Sequence, residues 1–167
     1  EEPMTQEHLN IDLSNKTAIV TGGSRGIGRA IALALAHAGA NVVVAARTVE
    51  DSHTLPGTIH KTSQEIIDFG GNALPLQCDV TSAMDVAAMV KKSLETYGTV
   101  DILVNNAGIL HGARFMDTTL EDFEQIWRVN VLGTFLCTQA VLPYMIAHKK
   151  GSIISVSSGL ADSIHPG

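Results

Sequence analysis

The sequence predicts an α/β domain: a parallel, doubly wound sheet covered by helices on both faces. Short apolar runs rich in branched residues alternate with segments of helical period along the chain. A glycine-rich turn, Thr21 to Gly28, joins the first apolar run directly to an alanine-rich helical segment. The later runs end in small polar or turn residues, as expected of strands that deliver loops to one rim of a parallel sheet. With 167 residues and 45% hydrophobic content, one domain burying roughly two-thirds of its unfolded surface is expected.

Residues 1–12 read as a polar, acidic tail without the apolar stretch of a secretory signal, and residues 13–167 as the domain. Thr17 to Val20 suits a buried strand, and Ile27 to His37 a helix that stops at Gly39. Ala40 to Ala46 is a second buried strand. Thr48 to Thr62, with Pro56, Gly57 and two histidines, reads as a loop insertion before a helix over Ser63 to Phe69 that closes on Gly70-Gly71. Ala73 to Gln77 is a third strand leading into Asp79, after which Thr81 or Ser82 caps a helix running to Tyr97 and Gly98. Val100 to Val104 is a fourth strand, delivering Asn105-Asn106-Ala107-Gly108. Thr118-Thr119-Leu120-Glu121 has the form of a capping box opening a long helix through Asn130, which Pro143 can bend and Gly151 ends. Ser152 to Val156 is the fifth strand, ending in Ser157-Ser158.

The glycine turn carries the first chemistry. Without Cβ atoms, Gly22 and Gly28 permit a tight turn and a close approach of a pyrophosphate to backbone N–H groups at a helix's positive end. The spacing Gly-x-x-x-Gly-x-Gly after Thr21, followed in order by Cys78-Asp79-Val80, Asn105-Asn106-Ala107-Gly108 and Ser155-Val156-Ser157-Ser158, resembles the short-chain dehydrogenase/reductase (SDR) family over about residues 13 to 167. The resemblance implies a Rossmann-type sheet of order 3-2-1-4-5, with the family's last two strands absent. Strand five would then be an uncovered apolar edge. The family's Tyr-x-x-x-Lys motif does not occur: Tyr97 and Tyr144 are followed four residues later by Asp101 and His148. The given sequence reaches Gly167 before the place where the family carries that tyrosine, which reads as a fragment of a longer reductase or as a truncation.

Cofactor choice follows from the end of strand two, where an NAD site places an acid for the ribose 2′-hydroxyl. Here Ala46 stands near that point, Arg47 follows, and Arg25 lies in the glycine turn, so two guanidinium groups can meet a 2′-phosphate. NADP(H) is expected over NAD(H). The resemblance assigns cofactor contact to Gly22, Ser24, Arg25, Gly26, Ile27, Gly28, Arg47, Asp79, Val80, Asn106, Ala107 and Gly108. Asp79 would accept from the adenine amino group, or serve as a turn or helix cap. Asn105, beside Asn106, reads as part of the same group or as a residue that stabilises the sheet. By the same resemblance, Ser158 is the catalytic serine, orienting a substrate carbonyl, and Asn130 distorts its helix and holds a water linked to the catalytic lysine. Ser155 and Ser157 are alternatives to Ser158.

The expected activity is an NADP(H)-dependent interconversion of a small-molecule alcohol and ketone by hydride transfer. The alternative is a dinucleotide-binding module without turnover. A net charge of -6 argues against nucleic-acid or acidic-membrane partners, and no membrane-spanning run is expected. No His-Glu-x-x-His or ligand-spaced cluster suggests a metal, and no Gly-x-Ser-x-Gly elbow suggests a hydrolase. Cys78 and Cys137 read as buried free thiols of a cytoplasmic protein. His111 reads as a solvated loop residue or a wall of the substrate cleft. Phe123 and Trp127, four apart, fit a packing face of the long helix, which the resemblance places in a homo-oligomer interface. Both 3-oxoacyl-carrier reductases and hydroxysteroid-type dehydrogenases fit the pattern. The segment Thr54 to Ile59 is similar to an insertion in hydroxysteroid dehydrogenase-like proteins.

Overall fold

A computed structural model of the chain describes residues 11–51 and 56–158. Most of the polar tail, residues 52–55 of the insertion, and residues 159–167 lie outside the described residues. Among the described residues, five parallel strands form one sheet of order β3-β2-β1-β4-β5: β1 Thr17–Thr21, β2 Asn41–Ala46, β3 Asn72–Gln77, β4 Ile102–Asn105 and β5 Ser152–Ser155. Val20 lies beside Val44 on one side and Val104 on the other, so the centre of the sheet is a continuous branched-aliphatic layer. The predicted doubly wound order is the one observed.

Helices α1 (Gly26–His37), α2 (Ile59–Asp68) and α3 (Ala83–Tyr97) follow β1 to β3 in turn. Alternation along the strands splits the core in two. Val20, Val42, Val44 and Val104 face Ala32, Ala36, Ile59 and Ile66 on one side. Ile19, Val43 and Leu103 face Val86, Met89, Cys137 and Val141 on the other. After β4 come a short 3₁₀ turn, α4 (Leu120–Trp127), a π-helical turn (Arg128–Leu132) and α5 (Gly133–His148).

Several boundaries differ from expectation. Helix α2 starts at Ile59, inside the stretch expected to be a loop, because the Thr58 hydroxyl accepts from Lys61 N at 3.0 Å and buried Ile59 anchors the first turn. The capping box is shifted by one residue: Thr119 is the N-cap and Asp122, not Glu121, returns the bond. Of the two expected caps of α3, Ser82 is the one used, accepting from Asp85 N. Helix α5 ends at Lys149, held at φ 52°, before Gly151 is reached. Leu120–His148 is also a helical stretch long and apolar enough to cross a membrane, contrary to expectation. Its inner face, through Val129, Gly133, Cys137, Val141 and Met145, is packed in the domain core. Its outer face exposes Phe123, Trp127, Val131, Phe135 and Ile146. The edge strand β5 is exposed along its length, including Ile153 and Ile154.

Candidate functional site: a dinucleotide cleft at the carboxyl rim

The carboxyl ends of β1, β2, β3 and β4 surround a cleft of about 490 Å3. The glycine turn forms its floor. Gly22 has φ 66°, and a Cβ there would lie 2.8 Å from Asn106 Nδ2. Gly28 is ruled by space alone: a Cβ would lie 2.3 Å from the Gly22 carbonyl oxygen. The turn opens into α1, whose N-cap residue Arg25 makes no side-chain cap and whose first turn has no acid. The helix therefore presents N–H groups that no capping side chain satisfies, at its positive end. A cradle this close to the backbone, with donors aimed outward, fits a dinucleotide pyrophosphate.

Thr21 fastens this turn to the end of β4. Its hydroxyl donates to the Val104 carbonyl at 3.2 Å and accepts from Asn106 N at 3.0 Å and Ala107 N at 3.1 Å. Asn106 returns the tie, its Nδ2 donating to the carbonyls of Thr21 at 2.9 Å and Gly22 at 3.3 Å. The Asn106 side chain is thus spent on shaping the glycine turn. Asn105 is buried in the sheet, and its amide donates to Thr138 Oγ1 at 3.2 Å.

At the end of β2, Ala46, Arg47 and Thr48 line the cleft beside Arg25, and Arg25 Nη2 donates to Thr48 Oγ1 at 2.7 Å. Asp79 stands opposite. Partial burial disfavours its charge, but the N–H and hydroxyl of Thr81, both at 2.9 Å from Oδ1, and the positive charge of Arg47 hold its carboxyl below the ordinary range. Asp79 therefore serves as a turn residue through Oδ1 and remains an anionic acceptor lining the cleft. Cys78 also lines it. Burial, reinforced by Cys137, Asp85 and Asp79, pushes its thiol up to about 12, so it stays protonated and behaves as a small apolar wall. Both cysteines are buried and unpaired.

Asn130 sits in the π-helical turn, so the distortion expected there is present. Its Oδ1 accepts from Ile109 N and its Nδ2 donates to the Ile109 carbonyl, both at 2.9 Å. The amide clamps the segment that leaves Gly108. Gly133, at the end of the π turn, lets the helix lie on the end of β3: a Cβ would meet Val80 Cγ2 at 2.7 Å. Ser158 lies three residues beyond β5 on the same rim, solvent-exposed and outside the lining of the cleft. His111 is half-exposed, with Nε2 3.4 Å from Asp122 Oδ1.

Every residue that the sequence assigns to cofactor contact lines this one cleft, whereas Ser158 and Asn130 are not among its lining residues and Asn130 bonds the lining residue Ile109. Ala46, Thr48, Cys78, Ile109 and Val129 line it too and were not singled out for contact. Thr48 had a readable signal, as the next residue after Arg47; Val129 had none, because only the π turn brings it inward. Among the described residues no group of histidines, cysteines and acids could hold a metal ion. Tyr144 lies at the far rim, its hydroxyl donating to the Gly98 carbonyl at 3.2 Å, and Tyr97 packs against the core at the end of α3.

Residues 16–166 match the family model of the short chain dehydrogenases. The chain is 40% identical over 148 residues to hydroxysteroid dehydrogenase-like protein 2 of Xenopus tropicalis, covering 89% of this chain and 36% of that protein. The human protein of that name is likewise 40% identical, with 35% of its length covered. The chain thus spans about a third of the length of these relatives. A short-chain type dehydrogenase/reductase from Mycobacterium marinum superposes with a TM-score of 0.84 at 40% identity, covering 93% of this chain and 60% of that one. A metagenomic short-chain oxidoreductase in complex with NADP gives a TM-score of 0.81 at 36% identity, covering 92% and 66%. Sheet order, glycine turn, strand-end motifs and these likenesses agree, and the chain belongs to the short-chain dehydrogenase family of oxidoreductases.

Proposed function

We propose that this chain forms the NADP(H)-binding part of an oxidoreductase that interconverts an alcohol and a ketone by hydride transfer. The observation that carries the cofactor choice is the end of β2, where Ala46 replaces an acid and Arg25, Arg47 and Thr48 gather at one end of the cleft. A 2′-phosphate gains charge-assisted hydrogen bonds there, and the end of β2 carries Ala46 and Arg47 where an NAD site places an acid for the 2′-hydroxyl. The solved relative in complex with NADP supports the same reading.

The backbone N–H groups of Gly26, Ile27 and Gly28 receive the pyrophosphate, and Asp79 and Val80 frame the adenine. Ala107 and Gly108 let the ribose and nicotinamide pass close to the backbone. When bound, the nicotinamide supplies the hydride. Ser158 donates a hydrogen bond to the carbonyl oxygen as negative charge develops on it, and Asn130 fixes the wall at Ile109 that bounds the reacting end. Neither Tyr97 nor Tyr144 is placed to protonate a substrate at this rim, which keeps a second reading in view: cofactor binding without turnover. Substrate-dependent oxidation of NADPH by the full-length protein, lost in Ser158→Ala, would exclude that second reading.

The cofactor assignment is tested by Arg47→Ala. NADPH affinity should fall about ten- to a hundred-fold with NADH affinity changed less than about two-fold; equal losses would overturn it. The exposed apolar face of α4 and α5 supports a homo-oligomer, readable by light scattering. The acidic charge and unpaired cysteines support a cytoplasmic location.

A further inference from the structure

Gly57, just before α2, packs onto the glycine turn, and one acid bonds its backbone. Asp51 Oδ1 accepts from Gly57 N at 2.9 Å, and Oδ2 forms an ion pair with Lys61. Gly57 is pressed against the turn: at φ 111°, a Cβ there would lie 2.7 Å from the Ser24 carbonyl oxygen and 3.1 Å from Arg25 Cβ. The residue after Lys61, Thr62, donates from its hydroxyl to that same Ser24 carbonyl at 3.3 Å. Asp51 and Lys61 are therefore exposed opposite charges outside the lining of the cleft, tied through Gly57 to Arg25, which lines it. The carboxylate lies below its ordinary pKa through Lys61, the Gly57 N–H and the nearby charge of Arg25, so it stays ionised at neutral pH.

We propose that Asp51 is a specificity-determining residue of the cofactor site, an acidic brake that weakens binding of a 2′-phosphate while leaving a 2′-hydroxyl cofactor unaffected. The inference rests on the NADP(H) reading given above. Its physical basis is competition. A carboxylate in the field of Arg25 repels an incoming phosphate and lowers the net positive potential that Arg25, Arg47 and Lys61 together produce. It also neutralises Lys61, which stands one residue from a side chain bonded to the glycine turn. The same carboxylate holds Gly57, which packs on Ser24 and Arg25, so part of the charge cost is offset by a prearranged contact.

The test uses the full-length protein, with dissociation constants for NADPH and NADH measured by fluorescence titration in wild type, Asp51→Asn, Lys61→Met and Arg47→Ala. Asparagine keeps an acceptor for Gly57 N and removes only the charge. In Asp51→Asn, NADPH should bind about three- to ten-fold tighter and NADH within about two-fold of wild type. Lys61→Met leaves the acid uncompensated and should weaken NADPH by a similar factor, again sparing NADH. Raising ionic strength should shrink both effects. A purely structural role would weaken both cofactors in parallel in both variants, and that result, or an unchanged NADPH affinity in Asp51→Asn, would overturn the proposal. Arg47→Ala separates the two layers. A NADPH-selective loss there with no selective gain in Asp51→Asn rejects the brake alone; no selective loss in Arg47→Ala rejects the NADP(H) reading and the brake with it.

Discussion

The two rims of the single sheet are built on opposite principles. At the amino rim, buried Asp101 joins three strands. Its carboxylate accepts from Thr17 N at 3.0 Å and Thr99 Oγ1 at 2.9 Å and faces Lys150 Nζ at 3.0 Å and Lys16 Nζ at 4.0 Å. Its backbone donates to Thr17 O and accepts from Ser152 N, each at 2.9 Å. At the carboxyl rim the strands end instead in glycines and small residues around an open cleft, with a helix N-terminus and two arginines directed at it. One rim closes on a buried carboxylate; the other ties its loops together through Thr21 and Asn106 and leaves glycine backbone and charged side chains lining an open cleft. Stability and binding should therefore respond separately to substitution at the two ends.

The largest effect is expected at Gly28. In Gly28→Ala the new methyl meets the Gly22 carbonyl and Asn106 Nδ2, so the cradle must open. NADPH and NADH affinity should both fall by about a hundred-fold or more, with stability lowered by about 1–3 kcal/mol. Parallel titrations of the two cofactors and a urea melt would measure it. Asp101→Ala is the counterpart at the other rim. Losing a buried, paired carboxylate should cost about 2–4 kcal/mol in chemical denaturation while leaving NADPH affinity within about two-fold. A large affinity change there would break the separation of rims.

Acid provides a finer test of the same rim. Burial opposes the Asp101 charge, but Lys150, Thr17 N and the Thr99 hydroxyl outweigh it and hold the carboxyl below its usual 3.8. A group whose folded pKa is depressed stabilises the fold above its unfolded pKa and loses that contribution as pH falls through the folded one. Wild-type stability should thus decline below about pH 4, and the decline should be shallower in Asp101→Asn.

Two smaller changes sharpen the contrast. Asn130→Ala frees Ile109 from its clamp; it should cost about 1–2 kcal/mol and leave NADPH affinity within about three-fold, since neither amide atom lines the cleft. Lys149→Gly should stabilise by up to about 1 kcal/mol, because Lys149 closes α5 in the left-handed region that glycine occupies freely. Cofactor affinity should not move.

Sheet order and the cofactor-facing positions were legible because they rest on local signals: branched apolar runs, glycines where backbone must approach closely, and strand-end motifs in order. What escaped depends on partners far along the chain. Asn106 was read as a cofactor-side residue, yet its amide ties the carbonyls of Thr21 and Gly22, more than eighty positions earlier. Thr21 was read as the opening residue of the glycine turn, although its hydroxyl joins two strand ends. Helix α2 began early because Thr58 after Pro56-Gly57 is a cap, a signal outweighed by the turn residues around it. The capping box slipped by one because aspartate, at Asp122, can play the part ascribed to glutamate. The Asp101 hub is invisible to pattern reading, since its partners come from β1, the turn before β4 and the segment before β5.

Hydrogen exchange of the backbone amides with and without saturating NADPH tests the central claim most directly. Bound NADPH should slow exchange across Gly22–Gly28, Ala46–Thr48, Asp79–Val80 and Asn106–Ile109 and leave Lys16–Thr17, Thr99–Asp101 and Lys150–Ser152 unchanged. Protection confined to the Asp101 rim, or none at the glycine turn, would contradict it.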